Sequence, residues 1–251
     1  MSEDDQELEG ARAGLPVSIL TAWGLRGRSA KGPRPTLSLA QIVTAGVQVA
    51  ESEGLAAISM SRVAAKLGTA PASLYRHVAT KDELLALMAD AVLGRPPAPE
   101  PGWRRSLGRW AWARHGVFRA HPWVLRLPAT EPPATPNQIA WVESGLTALA
   151  GTGLAEAEKL STILMLDGFV RGEATLATDV NAAFRATGAT PAQALARYGR
   201  LLAALTSPEE FPALHAVIAA GAFEQDNPDS EFSFGLDRIL DGIGRLISDR
   251  T

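Results

Sequence analysis

The chain has 251 residues, 46% of them hydrophobic and 20% charged, with no cysteine and a formal net charge of −3. That length supports one large or two smaller cores, and the missing thiol excludes disulfides, thiol catalysis and thiolate metal sites. No apolar run reaches the roughly 18 residues of a membrane span, and the acidic opening Glu3-Asp4-Asp5 with Glu7 and Glu9 has the wrong sign for a secretory signal, so a soluble cytoplasmic protein without membrane contact is expected.

Residues 1–37 have no helical period and many Gly, Pro and Ser, and are expected to lack regular structure. Their Arg26, Arg28, Lys31 and Arg34 make a basic arm, either a solvated linker or a segment that reaches into a minor groove. Ser38-Leu-Ala-Gln41 has the form of a capping box. It opens a helix whose Leu39, Ile42, Val43, Gly46, Val47 and Ala50 share one face, and Gly54 ends it. Ser59 is the expected N-cap of a second helix, with Val63, Ala64 and Leu67 facing inward. Gly68 closes that helix in a turn that favours positive φ. A third helix is expected over about Ala70–His77, with Pro71 tolerated in its first turn. Thr80-Lys-Asp-Glu83 repeats the capping-box pattern and starts a fourth helix, apolar at Leu84, Leu85, Leu87, Met88 and Val92. Two short helices around a glycine turn followed by a capped helix form a helix-turn-helix, in which the later helix lies in the DNA major groove.

Gly94-Arg-Pro-Pro-Ala-Pro-Glu-Pro-Gly102 cannot continue a helix and is the expected linker, so 38–93 reads as a DNA-binding domain and 103–251 as a second domain. From Trp103 the period is helical again, with Trp103, Leu107, Trp110, Ala111, Val117 and Phe118 on one face until His121-Pro-Trp123 breaks the run. Thr135-Pro136 starts a helix carrying Ile139, Val142, Leu146 and Leu149. A long helix follows over about 155–178. Thr190-Pro191 opens another, Ser207-Pro-Glu-Glu210 one more, and the last spans about Phe234–Ser248. Its Leu236, Ile239, Leu240, Ile243, Leu246 and Ile247 form a stripe that needs burial. No strand pattern competes, and the fold class is all-α.

Charge is unevenly placed. Residues 22–81 hold eight Lys/Arg and two acids, a net +6, whereas 1–21 carry −4 and 82–251 carry −5. The basic block coincides with the helix-turn-helix, as phosphate binding requires.

Ala64-Ala-Lys-Leu-Gly68, Ser73-Leu-Tyr-Arg-His-Val78 and Lys81-Asp-Glu-Leu-Leu85, following the helix that ends at Gly54, resemble the TetR family of one-component repressors over about residues 38–93. Layout and the block Phe232-Ser-Phe-Gly-Leu-Asp-Arg-Ile-Leu-Asp-Gly242 extend the resemblance into the second domain, in its tetracycline-repressor-like subgroup. The resemblance implies a homodimer that reads a double-stranded, palindromic DNA operator and releases it when a small-molecule effector, largely apolar, enters the second domain. It implies base-edge contacts from Pro71, Ala72 and Ser73, phosphate contacts from Tyr75, His77 and Lys81, and a DNA contact from Arg62; Arg76 is exposed beside them. Tyr75 also suits a core aromatic with a surface hydroxyl, and His77 a structural histidine. Residues 155–178 and 234–248 would form the four-helix dimer interface, with Gly235, Gly242 and Gly244 allowing close approach, unless the last stripe packs only within its own subunit. Helix 81–93 would carry the effector signal to the DNA reader. The histidine that helps hold a drug-bound magnesium in tetracycline-binding members has no counterpart after His121, where the chain reads Pro-Trp-Val-Leu-Arg-Leu-Pro.

The second domain holds five of the six tryptophans. Asp167 interrupts an apolar run, four residues before Arg171. It forms an i,i+4 ion pair or, with His115 or His121, orients an effector in a pocket lined by Trp110, Phe118, Trp141 and Phe169, an aromatic set that suits a plain core equally well. There is no nucleophile elbow, phosphate loop, metal-ligand cluster or acid–base pair, so no catalytic, metal or cofactor site is expected. An all-helical enzyme and a DNA-binding protein that senses nothing are the alternatives.

Overall fold

Among the residues described by this computed structural model (15–25, 37–127, 134–224, 227 and 229–250), every regular element is helical. In chain order they are α1 (Val17–Ala22), α2 (Leu39–Glu53), α3 (Met60–Lys66), α4 (Pro71–Tyr75), α5 (Lys81–Leu93), α6 (Trp103–Ala120), α7 (Pro136–Ala148), α8 (Glu156–Thr187), α9 (Pro191–Leu205), α10 (Pro212–Ala219) and α11 (Ser230–Ser248), with short 3-10 turns at Leu55–Ala57, Pro122–Arg126 and Ala222–Glu224. None of the described helices is long and apolar enough to cross a membrane.

Local chemistry sets the ends of these helices. Ser38 and Gln41 make the full reciprocal box, the Ser38 amide donating to Gln41 Oε1 (2.8 Å) and the Gln41 amide to Ser38 Oγ (3.3 Å). Ser59 Oγ accepts from the Arg62 amide (3.1 Å) at the start of α3, and Gly68 takes φ +65° after it. At α5 only half of the expected box forms. Thr80 Oγ1 accepts from the Glu83 amide (3.1 Å), but the Glu83 carboxylate reaches the Ala79 amide (3.1 Å) and the Ser18 hydroxyl (2.6 Å) instead of closing on Thr80.

Ser18 belongs to α1, which lies within the segment expected to lack regular structure. Ile19 is buried and Ser18 is tied to Glu83, so the helix exists because α5 covers it; short helices owe their stability to such packing rather than to propensity. The basic arm of Arg26, Arg28, Lys31 and Arg34 lies outside the described residues.

Three further boundaries differ from expectation. The recognition element is shorter than Ala70–His77, because α4 ends at Tyr75 and Arg76 and His77 form the following turn. α8 runs past residue 178 to Thr187. Ser207 does cap, accepting from the Glu210 amide (3.2 Å), but it closes only a turn. Pro212 pushes the preceding Phe211 out of helical geometry, so α10 starts there instead.

The chain forms two compact units, Met1–Ile163 and Leu164–Thr251. The expected linker 94–102 is non-helical but does not separate the units. Hydrogen bonds at the α5 end of that region hold α5 onto α7: the Asp90 carboxylate accepts from the Asn137 amide (2.9 Å), and Trp141 Nε1 donates to the Gly94 carbonyl (2.9 Å). In the first unit α2 packs on α5 so closely that a Cβ on Gly46 would lie 2.7 Å from Met88 Sδ. In the second, Leu166, Val170 and Ala174 are buried along one side of α8, Phe169 stacks on Phe232 (centroids 5.5 Å apart), and Leu236, Leu240 and Ile243 of α11 are buried.

Candidate functional site

The DNA-facing candidates are built on α3 and α4. Leu74 and Val78 are fully buried and anchor the recognition segment to the core. Pro71, Ala72, Arg76 and Lys81 are exposed, Ser73 and His77 half-buried. Tyr75 is 54% exposed, so it is not a core aromatic. Pro71 at the first helical position fixes the entry to α4 without losing an intrahelical bond. The exposed set mixes small groups that fit base edges with hydroxyl, imidazole and ammonium groups that fit phosphates.

Arg62 is held before any ligand arrives. Its Nε donates to Glu53 Oε2 (2.8 Å), and a terminal guanidinium nitrogen donates to Glu53 Oε1 (2.5 Å). A bidentate fork fixes the plane of a side chain that is otherwise rich in rotamers. The hydrogen bond from Arg62 holds the Glu53 carboxyl below its ordinary 4.5, partial desolvation opposing and the charges of Arg62 and Lys66 assisting. Arg62 is raised in turn by the same partner. A carboxyl with a depressed folded pKa adds stability above its unfolded value and loses it as pH falls through the depressed one. The fork is therefore intact at pH 4.5 and above, and opens only as pH falls through the lowered folded value. Replacing Arg62 by Met is expected to return the Glu53 carboxyl to its ordinary range, measured as a rise in its midpoint by carbon-detected NMR titration.

The candidate effector residues fall in both units. Trp110, Phe118, Trp141 and His115 belong to Met1–Ile163 and are buried. Trp110 and Trp141 meet edge to face, with centroids 5.4 Å apart and planes at 70°. Trp110 Nε1 donates to the Trp141 carbonyl (3.0 Å) and Trp141 Nε1 to the Gly94 carbonyl (2.9 Å), so both indole donors are spent on backbone. The structure adds a residue that sequence reasoning missed. The Arg114 guanidinium carbon lies 5.6, 5.5 and 5.4 Å from the ring centroids of Trp110, Phe118 and Trp141, a cation set among three aromatic faces. Its signal was in the spacing, one turn after Trp110 and one turn before Phe118 on the same helix. His121 stands apart from this cluster, with Nδ1 2.9 Å from Glu51 Oε1 of α2. Asp167 and Phe169 belong to Leu164–Thr251, where Phe169 is half-buried against Phe232.

The missing Cβ of Gly235 makes room within its own unit. A Cβ there would lie 2.6 Å from Phe169 of the same unit, whereas Gly242 has open space around it. Among the described residues, no group of three or more His, Asp or Glu is placed to hold a metal ion.

Two family profiles match the chain: "Bacterial regulatory proteins, tetR family" over residues 42–88 and "Tetracyclin repressor-like, C-terminal domain" over 95–247. The chain is 38% identical over 235 residues to the HTH-type transcriptional repressor DrrR1 of Streptomyces coeruleorubidus, covering 91% of this chain and 85% of that protein. Apo ActR from Streptomyces coelicolor superposes with a TM-score of 0.72 at 29% identity, over 88% of this chain and all of that one. ActR in complex with actinorhodin gives 0.70 at 29% identity, over 86% and 99%.

Proposed function

The chain belongs to the TetR family of bacterial transcriptional regulators, not to an enzyme family, and we propose that it is a repressor that binds a palindromic operator as a homodimer and leaves it when a small molecule binds. Residues 38–93 read DNA, and 103–251 take the effector and pair the subunits. The observation that carries this reading is the recognition segment, anchored by Leu74 and Val78 and presenting Pro71, Ala72 and Tyr75 outward inside the one basic block of the chain. Pro71, Ala72 and Ser73 meet base edges. Tyr75, His77, Lys81 and Arg62 fix the register on phosphates, with Arg76 alongside. Two copies place their recognition helices about 10 bp, or a multiple of it, apart.

Dimerisation is supported by the outer side of α8. Leu164 and Leu176 are 59% and 60% exposed. Between them at four-residue spacing stand Gly168 and Gly172, around which an added Cβ would meet nothing within 4 Å. Leu166, Val170 and Ala174 point the opposite way and are buried. An i±4 ridge of two open glycines bracketed by exposed leucines is a surface shaped for another helix. Phe234 on α11 is a further exposed apolar side chain of the same unit.

The effector reading is supported by the aromatic content around Trp110, Phe118 and Trp141, with Arg114 and His115 as polar groups beside them and Asp167 and Phe169 as further candidates. That ActR was solved in complex with actinorhodin makes actinorhodin the first compound to try, beside the largely apolar molecules that the aromatic lining suits.

The test is selection of genomic fragments by the purified chain, repeated with a panel of such compounds including actinorhodin. A palindromic site lost with one compound is the expected result, and no enriched site at low salt would overturn the reading. On the selected site, Lys81→Ala is expected to weaken all sequences alike and to lower the slope of log affinity against log salt by about 1. Ser73→Ala is expected to leave that slope alone and relax preference at one base pair, at a cost of about 1–3 kcal/mol for the preferred sequence. Equal footprints and equal salt slopes for the two variants would refute this division of roles.

A further inference from the structure

Asp90 stands where a carboxylate does its own helix no good. It lies in the last turn of α5, only 7% exposed, at the end where the helix dipole opposes negative charge. Its partners lie on another helix. Oδ1 accepts from the backbone amides of Asn137 (2.9 Å) and Gln138 (3.1 Å), the orphan donors in the first turn of α7. The Asn137 side chain returns two bonds, Nδ2 donating to Asp90 Oδ2 (3.1 Å) and to the Asp90 carbonyl (3.0 Å). One turn further along α7, Trp141 Nε1 donates to the carbonyl of Gly94, the C-cap of α5. Five directional hydrogen bonds, two of them to a buried charge from main-chain amides, thus join the end of α5 to the start of α7.

The rest of α5 is held differently. Leu84, Leu87 and Met88 are buried apolar side chains, and α2 packs along the helix. Apolar packing of that kind lets helices slide by small steps, whereas a charged cap with fixed donors does not. The other end of α5 starts at Lys81, directly after the recognition segment, and there Glu83 ties it to α1.

We propose that Asp90 is the positioning residue through which α7 and the DNA reader move together. A displacement of α7 carries the C-terminal end of α5 with it through the Asp90–Asn137 cap and the Trp141–Gly94 bond, and α5 passes it to Lys81 and α4. This rests on the reading above, in which operator and effector bind alternative states. Coupling of that kind is reciprocal, so it is measurable without any effector: DNA held at one end of α5 must quiet α7 at the other.

The experiment is hydrogen–deuterium exchange of the full chain with and without the selected operator duplex, read over residues 139–148, which lie beyond the bonded amides. In the wild type, operator is expected to slow exchange there several-fold. Asp90→Asn keeps the side-chain volume and is expected to bind the same duplex within about threefold while losing at least half of that slowing. Slowing that persists unchanged in Asp90→Asn overturns the proposal, as does a wild type whose residues 139–148 ignore the duplex. If Asp90→Asn does not fold, Asn137→Ala, which removes the two side-chain bonds to Asp90, carries the same expectation and the same refutation. A wild type that binds no duplex overturns the DNA-reading function itself, a different result from bound DNA without slowing.

Discussion

Replacing Gly168 and Gly172 together by leucine is expected to turn the chain into a folded monomer that has lost operator binding. The two positions separate the subunit's own stability from assembly. Each glycine is helical, and nothing in the described chain lies within 4 Å of an added Cβ, so larger side chains meet no obstacle inside the subunit. Leucine is also a better helix former than glycine by up to about 1 kcal/mol per site. The melting temperature of the isolated subunit should therefore hold or rise. A partner helix seated on the Leu164–Gly168–Gly172–Leu176 ridge would instead be pushed out by several ångströms, and interaxial distances near 8–10 Å leave no room for that. Loss of the dimer removes the second half-site contact and with it about 10²–10⁴ in apparent affinity. Sedimentation velocity and operator titration at the same protein concentration check the two halves of this result. Leu164→Asp with Leu176→Asp offers a chemical counterpart, because both side chains are already exposed in the subunit, and a buried carboxylate without a partner disfavours only the assembly. A Gly168→Leu, Gly172→Leu variant that stays dimeric would move the interface elsewhere on the chain.

The α8 ridge also shows where sequence reasoning ran short. The helix-turn-helix was legible because its constraints are local: a cap at Ser59, a positive-φ glycine at 68, a proline at the first position of α4 and buried Leu74 and Val78 all act within a few residues. Apart from α1, helix existence and type followed from period in the same way, and short-range competition moved the start of α10 to Pro212. What periodicity does not report is the partner of an apolar face. The Phe234–Ser248 stripe needs burial, and the structure divides it, with Leu236, Leu240 and Ile243 inside the subunit and Phe234 and Leu246 outside. Gly235 was expected to ease approach of a second subunit, and the structure gives it a role within the chain as well, making room for Phe169. Long-range polar ties were equally hidden. Asp90 in an apolar run against the dipole was a visible anomaly, yet nothing in the sequence pairs it with Asn137, 47 residues on. α1 was missed for the same reason, since its order comes from Glu83 and the surface of α5 rather than from its own six residues.

Trp141→Ala is expected to cost about 3–5 kcal/mol, the range for deleting a buried aromatic. Out of a total near 5–15 kcal/mol for a typical domain, that loss lowers the melting temperature by roughly 6–20 °C at this chain length. Three observations place the effect at the upper end. The side chain is only 2% exposed, its ring packs edge-on against Trp110, and its Nε1 is the donor to the Gly94 carbonyl, which truncation leaves unpaired beside a cavity. The same residue is a candidate effector contact, and the two roles predict different patterns. A residue that only touches effector leaves thermal unfolding of the free chain unchanged and weakens ligand binding. A residue that only fills the core lowers the melting temperature by the same amount with and without ligand. The bonding of Trp110 and Trp141 favours a wall held rigid from behind: both indole N–H groups face backbone carbonyls, so any contact with an effector is made by ring face or edge, beside the Arg114 guanidinium. Trp141→Phe separates the contributions, since it keeps an aromatic surface and removes the tie to Gly94. Thermal melts followed by near-ultraviolet circular dichroism, with and without the compound that releases the operator, should show the large loss for alanine and a loss of about 1–2 kcal/mol for phenylalanine. Alanine and phenylalanine variants with equal melting temperatures would take Trp141 out of the core and make it a ligand contact alone.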